Sequence, residues 1–294
     1  NFAKNTFLKM KFEKKSKTNN QVVGDIVLQK PIHVIFEGVN LDIYKPLKQS
    51  EQKIFNLDSI KEKHAFLFVG HWMQGEFGHD RKNVGLLVKA FFESFKNKKT
   101  KPALILKCST GIAGTISKDE ILDRIKGIRK SVNSNLLPNI YLIDGEFTDS
   151  EMNELYNHPK VKSMISLTKG EFTTTGKPVI ASGWSGHTDF LHKEYSVLIP
   201  GNLENVHKSS ANNWLIEESK WFSVDPGWVG KLLNDSFKKP KEFESRAKRQ
   251  KYYTKKNFSW KHMKDLVENI LDSNVPEFAQ KIELNLPELN LPQL

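Results

Sequence analysis

The sequence is 294 residues long, with 38% hydrophobic and 27% charged residues and a formal net charge of +11 at pH 7. This is an ordinary globular composition, with enough chain for one large or two medium domains. No apolar run approaches the roughly 18 residues of a membrane-spanning helix, and the N-terminus lacks the apolar core of a signal peptide. The single cysteine, Cys108, excludes an internal disulfide and a cysteine-based zinc site, and we expect it in the core. We therefore expect a cytoplasmic protein.

The positive charges are scattered, with local clusters at residues 9–17, 96–101 and 238–256. A basic protein can bind nucleic acid, an anionic membrane surface or phosphorylated small molecules. No nucleic-acid-binding motif accompanies the clusters, so we expect no nucleic acid partner and interpret most of them as solvated surfaces. Peripheral contact with a membrane stays open.

In chain order, residues 1–30 look like an appended segment, with a short helix over residues 2–15 and a hairpin-like loop over 16–25. From about residue 31, apolar β-rich runs alternate with amphipathic helical stretches. The predicted strands are 31–38, 64–70, 103–108, 139–144, 162–167, 177–182 and 195–200, and the helices between several of them cover 83–95, 118–132 and 148–158. Buried strands without polar alternation, separated by helices, predict an α/β fold with a Rossmann-like parallel sheet and helices on both faces.

Two helix starts carry capping signals. Thr148 or Asp149 suits an N-cap, and Ser117 with Glu120 has the spacing of a capping box. From about residue 225 the chain reads as a helical C-terminal extension, after which prolines predict an extended or poorly ordered tail over residues 273–294. Residues 31–272 are thus predicted to form the α/β domain.

Ligands of parallel α/β sheets bind beyond the carboxyl ends of the strands, where helix N-termini attract anions. The predicted strand 64–70 ends at Gly70, and the polar loop after it delivers Arg81 and Lys82 just before a helix. Two cations beside a helix N-terminus suit a diphosphate. From the spacing alone, a solvated Arg–Lys pair is equally expected.

The loops after the other strands supply small and polar residues to the same edge. Turns containing Ser109 and Gly111, and a second turn containing His187, let a ligand approach the backbone. Residues Ile143, Asp144, Gly145 and Glu146 form a turn on which a flat base can rest. Glu171 adds a carboxylate that can accept hydrogen bonds from sugar hydroxyls. Neither G-x-G-x-x-G nor a Walker A motif is present, which argues against a dinucleotide redox enzyme and a P-loop NTPase.

Four phrases in chain order resemble the nucleotide-sugar half of GT-B glycosyltransferases, specifically the large retaining family GT4. They are VIFEGVNLDIYKP (34–46), FLFVGHWMQGEFGHDRKN (66–83), KGE (169–171) with GKPVIASGWSGHTDFL (176–191), and NFSWKHMKDLVENIL (257–271). The resemblance covers roughly residues 31–272. It implies the C-terminal, donor-binding half of a GT-B fold, with residues 1–30 as the remnant or linker of an N-terminal acceptor domain.

The resemblance also implies individual roles. Lys82 falls on the phosphate-binding lysine of the family, and His71 falls on its phosphate-binding arginine, whose lost charge Arg81 can supply. The base would contact the loop around residues 143–146. The family's Glu-x7-Glu motif is about eight residues short here, so Glu171 stands for either of its glutamates. We expect that a mobile loop is lacking from the sequence between Glu171 and Phe172.

The expected function is a retaining hexosyltransferase that moves a sugar from a UDP- or GDP-sugar to a saccharide, lipid or protein acceptor. No metal or other cofactor is expected, because positioning and neutralisation of the leaving diphosphate would carry the reaction. Without the acceptor domain, the chain should bind donor but transfer poorly. One alternative is a non-catalytic nucleotide-sugar-binding module that has lost the Glu-x7-Glu motif. A weaker one is an anion-binding α/β protein that acts on nucleic acid.

Overall fold

The computed structural model describes residues 2–28, 30–48, 51, 57–111, 114–165 and 171–276. The chain starts with helix α1 (Phe2–Lys9), followed by an antiparallel hairpin of strands β1 (Phe12–Lys15) and β2 (Val22–Ile26). Every residue of the two strands is exposed. The predicted hairpin is confirmed, but the prediction of one helix over residues 2–15 is wrong in its second half. The reason is that Phe12 and the residues after it pair with β2 instead of continuing the helix.

A parallel sheet of six strands forms the centre of the described structure. Its strands are β3 (Ala65–His71), β4 (Ala103–Ser109), β5 (Ile140–Ile143), β6 (Val161–Ile165), β7 (Val179–Ser182) and β8 (Val197–Ile199). Their spatial order is β5-β4-β3-β6-β7-β8, and every neighbouring pair is parallel. The first strand of this sheet, β3, is therefore central, with β4 and β5 on one side of it and β6, β7 and β8 on the other. This doubly wound order confirms the predicted Rossmann-like sheet.

Both faces of the sheet are buried because the strand side chains alternate between two hydrophobic clusters. Phe66 and Phe68 of β3 pack with helices α2 (Val84–Phe95) and α3 (Thr115–Lys130), while Ala65 and Leu67 pack with helix α4 (Asp149–Asn157). We call these the α2 face and the α4 face. Cys108 lies in the α2 face, as predicted for a core cysteine, and burial raises the pKa of its thiol to about 12.

The C-terminal part is mainly helical. Helix α5 (His187–Phe190) follows β7, and an antiparallel pair, β9 (Gly201–Asn205) and β10 (Lys220–Val224), follows β8. Helices α6 (Pro226–Lys238), α7 (Pro240–Asn257) and α8 (Trp260–Asn274) then confirm the predicted helical extension. Helix α6 packs on α2, and α7 packs on a 3-10 helix, Glu171–Thr175, between β6 and β7. Residues 277–294 of the predicted tail lie outside the described residues, and the three-part division of the chain stays a prediction.

Residues 31–38 do not form the predicted first strand. The nearest pairing is an isolated parallel bridge between Val39 and Ser259. The segment instead follows the junction of α7 and α8, where Phe36 packs edge-on against Phe258 at 5.0 Å between ring centroids, and the amide of Val39 donates to the carbonyl of Phe258 at 2.8 Å. The apolar run correctly indicates a packing surface, but its partner is a helix junction rather than a neighbouring strand.

The two predicted helix starts differ in outcome. Thr148 caps α4: its Oγ1 accepts from the amide of Glu151, whose carboxylate accepts from the amide of Thr148 in return. The predicted capping box at Ser117 is wrong, because α3 begins two residues earlier, at Thr115. Ser117 therefore lies inside the helix, and its Oγ accepts from the amide of Thr110 at 2.8 Å.

Replacing Thr148 by alanine is expected to lower the free energy of unfolding by about 1 kcal/mol, because the first turn of α4 loses one acceptor and half of a reciprocal box. Urea denaturation measures the loss. Ser150→Ala, a replacement of similar size in the same turn outside the box, is the control and should change stability much less. Equal losses from the two variants would contradict the capping role.

Candidate functional site

The strand order places a crevice at the carboxyl ends of β3 and β6. These two central strands are neighbours, but the chain leaves them toward opposite halves of the sheet, and ligands of open α/β sheets bind at this switch point. The loop after β3 covers residues 72–83. After β6, residues 166–170 lie outside the described residues, so most of the predicted KGE loop cannot be placed, and the description resumes at Glu171.

Lys82, from the loop after β3, and His187, at the start of α5, lie close enough for the charge of the lysine to act on the histidine. Burial is the main cause that lowers the pKa of His187, and the positive charge of Lys82 lowers it further. A hydrogen bond from the His187 ring to the carbonyl of Trp184 opposes this shift. Burial, and then the neighbouring Arg81, lower the pKa of Lys82 to about 8. Near pH 7 the site thus holds a charged lysine beside a neutral histidine, with the exposed Arg81 next to them.

The N-terminus of α2 is already occupied by a carboxylate of the same chain. Asp80, only 1% exposed, accepts from the amide of Val84 at 2.7 Å and from that of Gly85 at 3.1 Å. Two amides at this helix start are therefore taken up within the chain. The predicted phosphate contact stays a prediction, and the side chains of Lys82 and Arg81 are its candidates.

The loop that delivers Lys82 is held by a second loop more than a hundred residues later. The amide of Glu76 donates to Ser209 Oγ at 2.9 Å, and the ring of His79 stacks on that of His207 with centroids 4.0 Å apart. Gly75 has φ of +144°, and a Cβ there would lie 2.9 Å from the Cα of Asp80, so only glycine fits this fold-back. The loop is thus fixed at several points before any ligand arrives.

The carboxyl ends of β3 and β4 bring His71 and Ser109 together, as the parallel register pairs these two residues. His71 Nδ1 and Ser109 Oγ are 2.9 Å apart. Gly70 lies just before this pair, and the amide of Gly111 contacts Ser109 Oγ at 3.4 Å. The predicted His71, Gly70, Ser109 and Gly111 therefore form one small cluster at the sheet edge.

The predicted base region, residues 143–146, is organised by a lysine that the sequence reading missed. Lys107 of β4 donates to the carbonyl of Gly145 at 2.5 Å and lies 4.5 Å from the centroid of the Phe147 ring. Burial lowers the pKa of Lys107, and the carboxylates of Asp144 and Glu146 oppose that shift. Within the described part of the chain, Asp144 Oδ1 is buried without a hydrogen-bond donor. The signal for Lys107 was a cation at the carboxyl end of an otherwise apolar strand.

The contacts described for Glu171 and its neighbour Phe172 are with residues of the α4 face. The carboxylate of Glu171 acts electrostatically on the phenols of Tyr44 and Tyr156, and the next residue, Phe172, packs edge-on against Tyr156 at 5.3 Å. These partners belong to the α4 face, whereas the stem of Lys82 lines a small cavity of about 30 Å³ with residues of the α2 face. Both residues lie on connections that leave the two central strands, but the structure does not gather them into one cluster as it does Lys82 and His187.

The connection that contains Glu171 is short and continuous. Residues Glu171–Thr175 form the 3-10 helix, in which Thr174 Oγ1 donates to the carbonyl of Glu171 at 2.6 Å. At its far end, Lys177 donates to the carbonyls of Tyr156 and His158 at 2.7 and 2.9 Å, which ties the connection to the end of α4. The described connection from Glu171 to β7 thus contains a single short 3-10 helix.

A larger cavity, of about 540 Å³, lies beside this edge between α2 and α3, under the loop of residues 72–80. Its charged lining residues are already engaged: Arg124 donates to the carbonyls of Trp72 and Met73, and Lys89 donates to Ser131. The volume alone therefore does not mark the anion site. Within the described residues, no three His, Cys, Asp or Glu side chains are grouped as a metal site requires, and metal independence stays a prediction.

No protein-family model and no curated protein sequence matches the chain. Solved structures do match. A glycosyltransferase from Rickettsia africae ESF-5 has a TM-score of 0.57 at 16% identity, covering 84% of this chain and 58% of its own. A sucrose-phosphate synthase from Thermosynechococcus elongatus has a TM-score of 0.55 at 13% identity, covering 82% of this chain and 52% of its own. Anabaena HepE, solved with UDP and glucose, has a TM-score of 0.53 at 12% identity, covering 82% and 57%.

The chain has the fold of one half of a GT-B glycosyltransferase. At these identities the likeness is one of fold alone. The chain spans between 52% and 58% of the length of the three structures. Within its described residues, no helix is both long enough and apolar enough to cross a bilayer.

Proposed function

We propose that this chain is the donor-binding, C-terminal half of a GT4-type glycosyltransferase and that it holds the diphosphate of a sugar nucleotide. The observation that carries the proposal is the meeting of Lys82 and His187 beside the switch point of a GT-B half. A half-buried lysine that forms no ion pair within the described residues, next to the exposed charge of Arg81, is suited to a ligand that brings its own negative charge.

Each part of the ligand has a proposed contact. Lys82 and Arg81 neutralise the diphosphate, with His71 in contact with it. His187, whose ring Nδ1–H donates to the carbonyl of Trp184, lines the site beside them. The turn of residues 143–146 receives the base and ribose, and the buried Asp144 Oδ1 is an acceptor for a ribose hydroxyl. Gly70, Ser109 and Gly111 leave room for the ligand at the strand ends.

The proposed reaction is transfer of a hexosyl group, with retention, to a saccharide, lipid or protein acceptor. Stabilisation of the leaving diphosphate by fixed cations is the contribution of this half, and no step requires a metal or another cofactor. HepE has been solved with UDP and with UDP-glucose, which favours a UDP-sugar over a GDP-sugar as the first donor to test. A cytoplasmic location and an acceptor-binding partner half belong to the same proposal.

A second candidate is a binding module without transfer activity, and one observation favours it. Glu171, the proposed catalytic residue, has a buried carboxylate oxygen, and its charge acts on the phenols of Tyr44 and Tyr156 in the α4 face. In that case Glu171 is a structural residue of the short connection, and the chain holds a sugar nucleotide without reacting.

Isothermal titration of the chain with UDP, GDP, UMP and uridine tests the proposal. We expect UDP to bind at least about tenfold more tightly than UMP, because the second phosphate adds a charge-assisted contact worth about 1.5–3 kcal/mol. Equal affinities for UDP, UMP and uridine would contradict a diphosphate site. If UDP-glucose binds as UDP does but neither the unchanged protein nor the Glu171→Gln variant hydrolyses it, the non-catalytic module is the better account.

A further inference from the structure

Helix α7 is the most basic element of the described structure. Its eighteen residues contain seven lysines and arginines and two glutamates, a net charge of +5, which is close to half of the +11 of the whole chain. It contains all but the first two residues of the basic cluster at 238–256. From the sequence alone, we interpret this cluster as a solvated surface. Its contacts distinguish it from an ordinary solvated helix.

The other long helices balance their cations with i,i+3 or i,i+4 carboxylates. Such pairs are Lys89–Glu93 in α2, Arg124–Glu120 and Lys126–Asp123 in α3, Lys231–Asp235 in α6, and Lys261–Asp265 and Lys264–Glu268 in α8. Among the residues that the structure describes, no lysine or arginine of α7 forms an ion pair. Its two glutamates, Glu242 and Glu244, lie in the first turns, away from the cations of its second half.

The uncompensated cations lie along one side of α7. The buried residues Phe243, Ala247, Gln250 and Thr254 are spaced by four, three and four positions and define the side that packs on the protein. The exposed residues Lys241, Lys248, Arg249, Tyr252 and Lys256 follow the opposite side. We call these five residues the basic stripe. At 1.5 Å per residue, the stripe extends over about 22 Å.

The remaining cations of α7 differ in their surroundings. Burial, followed by the charges of Lys255 and Lys248, lowers the pKa of Lys251. Arg246, in contrast, is used inside the protein, since it donates to the carbonyls of Glu194 and Ser196 at 2.9 and 2.6 Å. The helix thus uses Arg246 for its own attachment, and Arg249, although exposed, also lies 5.8 Å from the centroid of the Tyr195 ring. The lysines of the stripe are exposed to solvent.

We propose that the basic stripe of α7 is an electrostatic docking surface for a membrane that carries anionic lipids. Each lysine or arginine near such a surface contributes about 1 kcal/mol, and their attractions add because headgroups can move to meet them. Tyr252, 72% exposed in the middle of the stripe, is the kind of side chain that favours the headgroup region.

The shape of the stripe favours a membrane over nucleic acid. A straight, convex helix face meets a plane along its whole length, whereas single-stranded nucleic acid is usually held in a groove with several aromatic platforms. The stripe itself contains one aromatic ring, that of Tyr252. Docking through α7 does not require nucleotide binding, so the two sites are separable by experiment.

Co-sedimentation of the full chain with phosphatidylcholine vesicles, with and without phosphatidylglycerol, tests the assignment. The stripe variant is Lys248→Gln/Arg249→Gln/Lys256→Gln, and the matched control, Lys126→Gln/Lys261→Gln/Lys264→Gln, removes the same charge from exposed, ion-paired positions. We expect binding only to anionic vesicles, a loss on the order of 100-fold in the stripe variant from three cations, and a small change in the control. UDP titration should be the same for all three proteins.

Three results would overturn the assignment. The first is absence of binding to anionic vesicles by the unchanged chain at low salt. The second is an equal loss in the stripe and control variants, which would reduce the effect to net charge. The third is tighter, stripe-dependent binding to duplex or single-stranded DNA than to the vesicles, which would make the ligand a nucleic acid. Circular dichroism of both variants verifies that α7 stays folded.

Discussion

The free energy of unfolding is expected to fall between pH 7 and pH 4, and replacing His64 by leucine is expected to make this fall smaller by about 3 kcal/mol. The ring of His64 lies between those of Phe66 and Phe237, with centroids 4.9 and 5.1 Å away, and its Nε2 is buried without a partner in the described residues. Burial, and then the charge of Lys162, lower the pKa of His64 from 6.5 to about 4.

The sign follows from the protons bound by each state. Between pH 6.5 and about 4, the unfolded chain protonates His64 and the folded chain does not, so the stability falls as the pH falls through this window. Uptake of one more proton by the unfolded chain changes the free energy of unfolding by about 1.36 kcal/mol per pH unit, or about 3 kcal/mol over this window. Leucine fills the same apolar position without this proton. At pH 7 the variant should be at least as stable as the unchanged protein.

Urea denaturation at a series of pH values measures both curves. Phe237→Leu is the matched control, because it alters the same contact but removes no titrating group. Its stability should run parallel to that of the unchanged protein. If His64→Leu also gives a parallel curve down to pH 4, the histidine does not titrate in the way its surroundings imply.

Replacing Lys82 by alanine is expected to weaken UDP binding by about 1.5–3 kcal/mol, or roughly 10- to 150-fold. Charge-assisted hydrogen bonds have this strength, and the capped N-terminus of α2 leaves the side-chain cations as the source of attraction. Arg81→Ala should cost less, because Arg81 is exposed and better screened by solvent.

Lys89→Ala is the control for Lys82→Ala. Lys89 lies one and a half turns into the same helix, where it donates to Ser131 and pairs with Glu93 at 3.6 Å, and it has no proposed ligand contact. Calorimetry should give the same dissociation constant for this variant as for the unchanged chain. An unchanged constant in Lys82→Ala as well would remove Lys82 from the phosphate site.

The fold was largely predictable because its signals are local. Six of the seven predicted strands exist, since apolar runs between helices specify buried parallel strands. The seventh, at residues 31–38, has the same composition but packs on the α7–α8 junction. The residues of an apolar run do not determine by themselves whether a neighbouring strand or a helix junction will bury it.

The candidate site was predictable only in outline. Arg81 and Lys82 were found because cations before a helix follow a strand end. The role of Asp80, one residue earlier, depends on the loop folding back onto the amides of α2, and the support from Ser209 and His207 comes from far along the chain. Such non-local contacts leave no periodic trace. Glu171 shows the reverse case, in which the charge of a residue matched by pattern acts on Tyr156 of the α4 face.

The central claim is that the charge of Lys82 holds a diphosphate, and the dissociation constant of UDP as a function of pH tests it most directly. Because the pKa of Lys82 is about 8, the lysine loses its proton between pH 7 and 9, while the phosphates of UDP, with a second pKa near 6, stay ionised. We predict that UDP binds about tenfold more weakly at pH 9 than at pH 7, and that Lys82→Ala removes this dependence. A profile of the same slope in both proteins would contradict the claim.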